Sequence, residues 1–145
     1  MSFADVVDFA NRNPVCALAT AEGDQPRVRY FLMWYADMDG LYFHTGTKKH
    51  VYAQLRANPK VELCFYDFMP AEAGGGTMLR VTGEVEFLDD ADLRECLLEQ
   101  RPFLKALGDD PAEYLAIFRV SRGEAWFWTM ADNLREDAIP RWTFP

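Results

Sequence analysis

The chain has 145 residues, half of them hydrophobic, and a formal net charge of −8 at pH 7. This length predicts a single domain, residues 1–145, with one core, and the apolar content excludes a disordered chain. The negative charge argues against a nucleic-acid partner, because nucleic-acid binders need a positive surface. No apolar run could span a bilayer, and Asp5 and Asp8 interrupt any secretory signal, so we expect a cytoplasmic protein with no membrane partner.

The charge is unevenly distributed along the chain. Residues 27–60 contain six Arg or Lys side chains and two Asp side chains, a net charge of +4, so the remainder carries −12 of the total of −8. A compact basic segment within an acidic protein favours a small anionic ligand over an extended polyanion.

The N-terminal half predicts a helix, a strand meander and a second helix. Ser2 and Asp5 have capping-box spacing, and Asn13-Pro14 ends the helix that follows. Short apolar runs rich in β-branched and aromatic residues, separated by turn residues, predict strands over 15–20, 27–35 and 41–45. The pattern then becomes helical over 48–57.

The C-terminal half predicts further strands. They cover 61–68, 78–87, 115–121 and 124–130, with a glycine-rich loop over 70–76, an acidic helix capped by Asp89 or Asp90 that ends near Gln100, and a connection over 102–111. The final fifteen residues show no clear period. Six or seven strands joined mostly by short turns predict an α+β, mainly β fold, an antiparallel barrel with peripheral helices.

Several kinds of chemistry are excluded by residue counts. The two serines lie in no GxSxG motif, and the glycine run 74–76 lacks the lysine of a P-loop. The two histidines cannot form a multi-histidine site, so no metal is expected. The three cysteines are widely spaced and are interpreted as small buried apolar residues. The protein therefore uses a bound cofactor or is not catalytic.

Arg27 and Arg29 lie two apart on a predicted strand and therefore project from the same face, in a row that Phe31 and Met33 continue. Guanidinium groups match phosphate oxygens with paired hydrogen bonds, so the two arginines are candidates for an anion site. An exposed strand with paired basic residues is the equally simple alternative.

The segment Thr47-Lys48-Lys49 lies where the predicted central helix begins. A helix N-terminus carries unpaired N–H groups and partial positive charge, which two lysines in the first turn would increase. This cost is removed when an anion binds there, and Thr47 can cap the helix or offer its hydroxyl to that anion. The segment therefore predicts a phosphate site.

Aromatic residues crowd the strands next to this basic segment. Most of them must belong to the core, because alternation buries one face of each strand. As a set they could also enclose a flat heterocycle while the basic groups hold its phosphate. The set comprises Tyr30, Phe31, Trp34, Tyr35, Tyr42, Phe43, Trp126, Phe127 and Trp128.

The order and spacing of several motifs resemble the pyridoxamine 5′-phosphate oxidase-like FMN-binding split barrels, most closely their short members. The resemblance covers nearly the whole chain, although no single motif is diagnostic. It rests on the runs PRVRYF at 26–31, DGLYFHT at 39–45, TKK at 47–49, LRANPKVEL at 55–63, LRVTGEV at 79–85 and EAW at 124–126.

The resemblance implies a homodimer with FMN bound at the subunit interface. By position, Arg29 matches a flavin-contacting arginine of the family, and the segment 47–49 matches its phosphate-binding segment. The strand end beside the flavin ring and ribityl chain corresponds to His44 and Thr45. Backbone contacts are implied for Val28, Tyr30 and Phe31, contacts across the interface for Trp126 or Trp128, and Arg27 joins the set because it shares the face of Arg29.

The chain also departs from the oxidase. The oxidase has a lysine five residues beyond the matched arginine, where this chain has Trp34, and its longer C-terminal segment has no counterpart here. Pyridoxamine phosphate oxidation is therefore not expected. The leading hypothesis is an FMN-dependent oxidoreductase acting on an unknown small substrate. The alternatives are a non-catalytic FMN-binding protein, a haem-binding protein with His44 and His50 as axial ligands, and a purely structural dimer.

Overall fold

The computed structural model describes all residues, 1–145. Four α-helices accompany nine strands, and none of the helices is long and apolar enough to cross a membrane. The helices are α1 Phe3–Arg12, α2 His50–Ala57, α3 Ala91–Gln100 and α4 Pro111–Tyr114. The strands are β1 Val15–Glu22, β2 Gln25–Leu32, β3 Tyr35–Asp37, β4 Gly40–Gly46, β5 Lys60–Asp67, β6 Thr77–Phe87, β7 Leu115–Ser121, β8 Glu124–Trp128 and β9 Trp142–Thr143.

All nine strands belong to one antiparallel sheet. Seven follow the order β2-β1-β5-β6-β7-β4-β3, β8 pairs with β6, and β9 pairs with β8. The eleven-residue strand β6 pairs with β5 along one edge, while its other edge pairs first with β8 and then with β7. The sheet is open, because β2 has a single strand neighbour. The predicted α+β, mainly β class with peripheral helices is confirmed, and the architecture is an antiparallel split barrel.

The main core fills the inside of the curved sheet. The rings of Phe43 and Phe118 stack there with centroids 5.2 Å apart, and Phe31 packs edge-on against both. Helix α1 closes one part of this core with four buried residues at helical spacing: Phe3, Val6, Phe9 and Ala10. A smaller cluster on the outer face of β7 joins α3 and the 3₁₀ segment Pro102–Leu107 to the sheet.

Two predicted elements and the predicted number of strands differ from the structure. The predicted strand 27–35 is two strands, because the chain bends at 33–34 and β3 then pairs with β4. This division adds one strand to the predicted six or seven. The further strand β9 was not predicted, because two residues are too few to show the alternation of buried and exposed side chains. The predicted helix 48–57 begins at His50, with Lys49 as its N-cap, so the two lysines precede the first turn and Thr47 does not cap the helix.

The glycine run after β5 returns the chain tightly into β6. Gly74 and Gly75 have φ values of +97° and +73°, where L side chains are disfavoured. A Cβ atom on Gly76 would lie 2.5 Å from the Asp67 carbonyl oxygen. The three glycines are therefore explained by the backbone conformation of this loop. Of the three cysteines, Cys16 is buried as expected, whereas the other two are half-buried and all three are free thiols.

Candidate functional site

A cleft of about 500 Å³ opens where β2 and β4 end beside the start of α2. This volume lies within the range of about 300–1,000 Å³ usual for small-molecule sites. No residue that lines it is acidic, and eight of the fifteen are hydrophobic. The lining residues are Tyr30, Phe31, Leu32, His44, Thr45, Gly46, Thr47, Lys48, Lys49, Arg101, Phe103, Leu104, Leu107, Tyr114 and Leu115.

The end of β4 brings two predicted residues to the cleft. Successive residues of a strand face opposite sides, so Thr45 lies on the core face with Phe43 while His44 lies on the outer face beside α3. The Thr45 side chain is 3% exposed, and its hydroxyl Oγ1 has no hydrogen-bond partner. A buried hydroxyl without a partner costs free energy, so this atom is suited to bond a ligand.

His44 is held by Arg101, a residue at the C-terminal end of α3. Nη1 of Arg101 lies 2.7 Å from Nε2 of His44. A guanidinium can only donate, so Nε2 accepts and the imidazole proton resides on Nδ1. Burial, followed by the positive charges of Arg101 and Lys49, lowers the pKa of His44 from 6.5 to about 4. The imidazole is therefore neutral at neutral pH.

The basic junction after β4 carries positive charge that no carboxylate neutralises. Lys48 and Lys49 are exposed, neither forms a salt bridge, and the Lys49 ammonium lies 5.8 Å from the centroid of the Phe31 ring. The Thr47 hydroxyl donates to the carbonyl oxygen of Glu113, 2.8 Å away. Thr47 therefore fixes the junction against α4, and the two lysines remain available to an anion.

Arg29 belongs to a polar network on the side of the barrel that α2 covers. Its guanidinium donates to the Leu18 carbonyl oxygen (3.1 Å), to the Thr20 hydroxyl (2.9 Å) and to the side-chain oxygen of Gln54. Burial lowers the pKa of Arg29, with the charge of Arg27 contributing, although the group stays charged. Arg29 does not line the cleft itself, and the network fixes its orientation.

The remaining predicted residues of β2 fall into two groups. Arg27 pairs with Glu22 at 3.1 Å on the surface, outside the cleft, so the structure separates it from the lysines. Val28 and Tyr30 project outward and are 70% and 80% exposed, whereas the Phe31 ring points inward. Because β2 pairs only with β1, the backbone groups along its other edge have no strand partner, and this edge can contact a ligand or a second chain.

Trp126 and Trp128 lie on β8, away from the cleft of the same chain. The guanidinium carbons of Arg80 and Arg141 lie 5.6 Å and 4.0 Å from the centroid of the Trp126 ring. The buried Nε1 of Trp128 has no partner. Within one chain the structure therefore does not bring these tryptophans to the other predicted site residues.

Sequence reasoning missed one whole wall of the cleft. This wall comes from the end of α3, the 3₁₀ segment Pro102–Leu107 and α4, all of which pack over the outer faces of β4 and β7. Arg101 follows its helix as an ordinary C-terminal basic residue, and only the tertiary fold brings it to His44, 57 positions earlier in the chain. The sequence carried no short-range signal for this contact.

A larger cavity of about 860 Å³ lies between α1, the end of β8 and the C-terminal segment. Its charged lining residues are Asp5, Asp8, Asp132 and Arg12, and Arg12 is already paired with Asp8 at 2.9 Å. The negative balance of this cavity disfavours an anionic cofactor. The cleft beside α2 is therefore the better candidate for the predicted anion.

Comparisons with known proteins agree with this fold. The family model described as pyridoxamine 5′-phosphate oxidase matches residues 3–129. A NimC/NimA family protein from Clostridium acetobutylicum is 32% identical, with 88% of this chain and 85% of that chain covered and a TM-score of 0.71. No curated protein gives a match.

Two further solved structures share the fold at lower identity. One is a protein related to general stress protein 26, of the pyridoxinephosphate oxidase family, from Clostridium acetobutylicum (17% identity, 97% and 92% of the two chains, TM-score 0.70). The other is an FAD-binding protein from Mesorhizobium loti (20% identity, 89% and 96%, TM-score 0.63). Since the family model spans most of the sequence and the split barrel agrees with it, the chain belongs to the pyridoxamine 5′-phosphate oxidase family.

Proposed function

We propose that this protein binds FMN in the cleft beside α2 and acts as an FMN-dependent oxidoreductase on a small substrate. The observation that carries the proposal is a partly apolar cleft with Lys48, Lys49 and Arg101 in its lining and no carboxylate to neutralise them. A phosphate monoester carries about two negative charges near pH 7, which two adjacent lysines balance. Family membership and the FAD-binding protein of similar fold support a flavin as the occupant.

The cleft residues fit the parts of FMN. Lys48 and Lys49 would neutralise the phosphate, and the unpartnered hydroxyl of Thr45 would take up a hydrogen bond to the ligand. Tyr30 and Phe31 both line the cleft, from opposite faces of β2, and the exposed ring of Tyr30 supplies flat apolar surface to a ligand. When bound, FMN supplies the redox chemistry, and the protein binds and orients it.

Arg29 lies outside the lining of this cleft and would act on the ligand through its positive charge. Its network with Thr20 and Gln54 holds a guanidinium next to the barrel wall that α2 covers, where its charge adds to the positive potential at the start of α2. Arg27, which is paired with Glu22 at the surface, adds to that potential more weakly.

The proposed homodimer is supported by the outer face of β2. Val28, Tyr30 and Leu32 expose 70%, 80% and 52% of their surface in a row on an edge strand, which is typical of an interface. A second copy there would cover this row and the free backbone edge, and its Trp126 or Trp128 is the group we expect to reach the first copy's flavin.

Val28→Glu should yield monomers in light scattering, whereas Leu134→Glu, at a site 98% exposed, should remain dimeric. Dimers of Val28→Glu would contradict this interface.

The flavin proposal is tested by retention of FMN through gel filtration and by titration followed by flavin fluorescence. Lys48→Glu with Lys49→Glu should weaken FMN binding at least 100-fold, because charge-assisted hydrogen bonds contribute about 1.5–3 kcal/mol each. Riboflavin, which lacks the phosphate, should bind the double variant and the native chain within about threefold of each other. The matched control is Lys60→Glu with Lys105→Glu, which changes the net charge equally outside the cleft.

The outcomes separate the alternatives. Equal FMN affinity of both double variants would refute the phosphate site. Turnover with a reduced nicotinamide and an electron acceptor distinguishes an oxidoreductase from a non-catalytic flavin protein. A Soret band in place of a flavin spectrum would indicate haem, which the structure disfavours because Nε2 of His44 already faces the Arg101 guanidinium.

The remaining assignments follow the same proposal. We propose one domain over residues 1–145, because all strands join a single sheet. A reducing compartment such as the cytoplasm is proposed because none of the three cysteines forms a disulfide.

A further inference from the structure

The cleft holds one more positive charge than the phosphate of FMN requires. Lys48 and Lys49 together balance the roughly two negative charges of a phosphate monoester. Arg101 is a third cation in the same lining, no carboxylate lies within salt-bridge distance of it, and the lining contains no acid at all. An isolated guanidinium in a mostly apolar cleft is left with uncompensated charge, which an additional anionic group would neutralise.

Arg101 lies apart from the lysines along the cleft. It contacts His44, which precedes Gly46 by two strand residues, or about 7 Å, and the lysines follow Gly46. The guanidinium is anchored by the main-chain carbonyl oxygens of Met33 (3.0 Å) and Leu32 (3.5 Å) in addition to His44. One phosphate therefore does not account for all three cations.

Arg101 retains hydrogen-bonding capacity for a ligand. A guanidinium has five N–H groups in a planar fork, and the three contacts above use three of them. Two N–H groups therefore remain for a planar anion such as a carboxylate, which accepts paired hydrogen bonds. The neutral His44 beside it has its proton on Nδ1, so the imidazole adds a hydrogen-bond donor without a second charge.

The surroundings of Arg101 are apolar and accessible. Phe103 and Leu107, from the 3₁₀ segment that follows it, line the cleft and are 66% and 65% exposed. Exposed apolar side chains at the mouth of a cleft favour a ligand with a flat or branched apolar body.

From this arrangement we propose that Arg101 binds the carboxylate of a small monoanionic substrate, whose apolar body lies against Phe103 and Leu107 beside the cofactor. The proposal rests on the proposed FMN site, and it identifies the substrate class as a planar or branched organic monoacid rather than a phosphate ester. Arg101 is then the group that selects the substrate, and the two lysines are the groups that select the cofactor.

The test uses the FMN-loaded protein and benzoate as the probe, with the absorbance of the bound flavin as readout. Benzamide has the same shape without the charge, so benzoate should bind the native protein at least tenfold more tightly than benzamide does. In Arg101→Gln the benzoate Kd should rise at least tenfold while the benzamide Kd stays within about threefold. Arg135→Gln, whose arginine pairs with Asp132 outside the cleft, should leave both Kd values unchanged.

The possible results distinguish failure of the monoacid site from failure of the flavin site. Equal affinities of benzoate and benzamide for the native, flavin-loaded protein would overturn the monoacid site and leave the flavin site standing, whether or not Arg101→Gln folds. Failure of the native protein to retain FMN would overturn both. A benzoate Kd unaffected by Arg101→Gln in a folded, flavin-loaded variant would assign the anion to another residue and refute the role of Arg101.

Discussion

The buried imidazole of His44 makes the free energy of unfolding depend on pH. Its pKa is about 4 in the folded protein, against an ordinary value of 6.5. Between these two pH values His44 binds a proton in the unfolded chain but not in the folded chain. The contribution of His44 to the free energy of unfolding is therefore fully present above pH 6.5 and is lost as the pH decreases towards 4. The full shift corresponds to about 3 kcal/mol. Because the ring is partly exposed, we reduce this to about 1–2 kcal/mol for solvent screening.

Urea unfolding at pH 7.5 and pH 4.5, without added flavin, measures this contribution. His44→Gln removes the titrating ring while its amide oxygen can still accept from Arg101. The variant should lose about 1–2 kcal/mol less stability between the two pH values than the native protein does. His50→Gln, at an exposed site, is the matched control and should follow the native protein. Identical pH dependence in native protein and His44→Gln, or an NMR titration of His44 near pH 6.5, would refute the argument.

Three further predictions concern the packing and the buried polar groups. Phe43→Ala should lower the free energy of unfolding by about 3–5 kcal/mol in urea titrations because the ring is fully buried, whereas Leu134→Ala at an exposed site should change it by less than about 0.5 kcal/mol. Gln54→Met should cost about 1–3 kcal/mol by the same measurement, because it removes the acceptor of the Arg29 guanidinium. Burial raises the pKa of the Cys16 thiol to about 12, so mass spectrometry after iodoacetamide treatment at pH 8 should find Cys16 unlabelled in folded protein.

Local patterns were sufficient to predict most of the fold. The alternation in β6, with Val81 and Val85 buried between half-buried residues, and the capping-box spacing at Ser2 both correspond to elements in the structure. The bend at 33–34 could not be predicted, because an apolar run without glycine or proline gives no sign of a break. Tertiary contacts set that bend: the backbone N–H of Trp34 donates a hydrogen bond to the backbone carbonyl oxygen of Tyr42.

The candidate site was predictable to the extent that it lies on one continuous segment. Residues 44–49 line the cleft as the strand-to-helix junction indicated. The hydrogen-bond partners of the charged groups were not predictable from the sequence. Arg29 donates a hydrogen bond to Gln54, 25 positions away, and Arg101 donates one to His44, 57 positions away. A charged residue in a sequence shows that a partner is needed, but only the fold determines whether that partner is a ligand or another part of the chain.

The open seam of the barrel has a consequence for how ligand binding and folding are coupled. Strands β2 and β4 converge at the cleft, yet no ladder hydrogen bonds join them, and contact between their walls relies on side chains such as Phe31 and Phe43. A molecule bound at this seam would join two parts of the sheet that the backbone leaves unconnected. Binding of the ligand to the folded protein should therefore raise the free energy of unfolding, and the melting temperature should increase as the ligand concentration rises above its Kd.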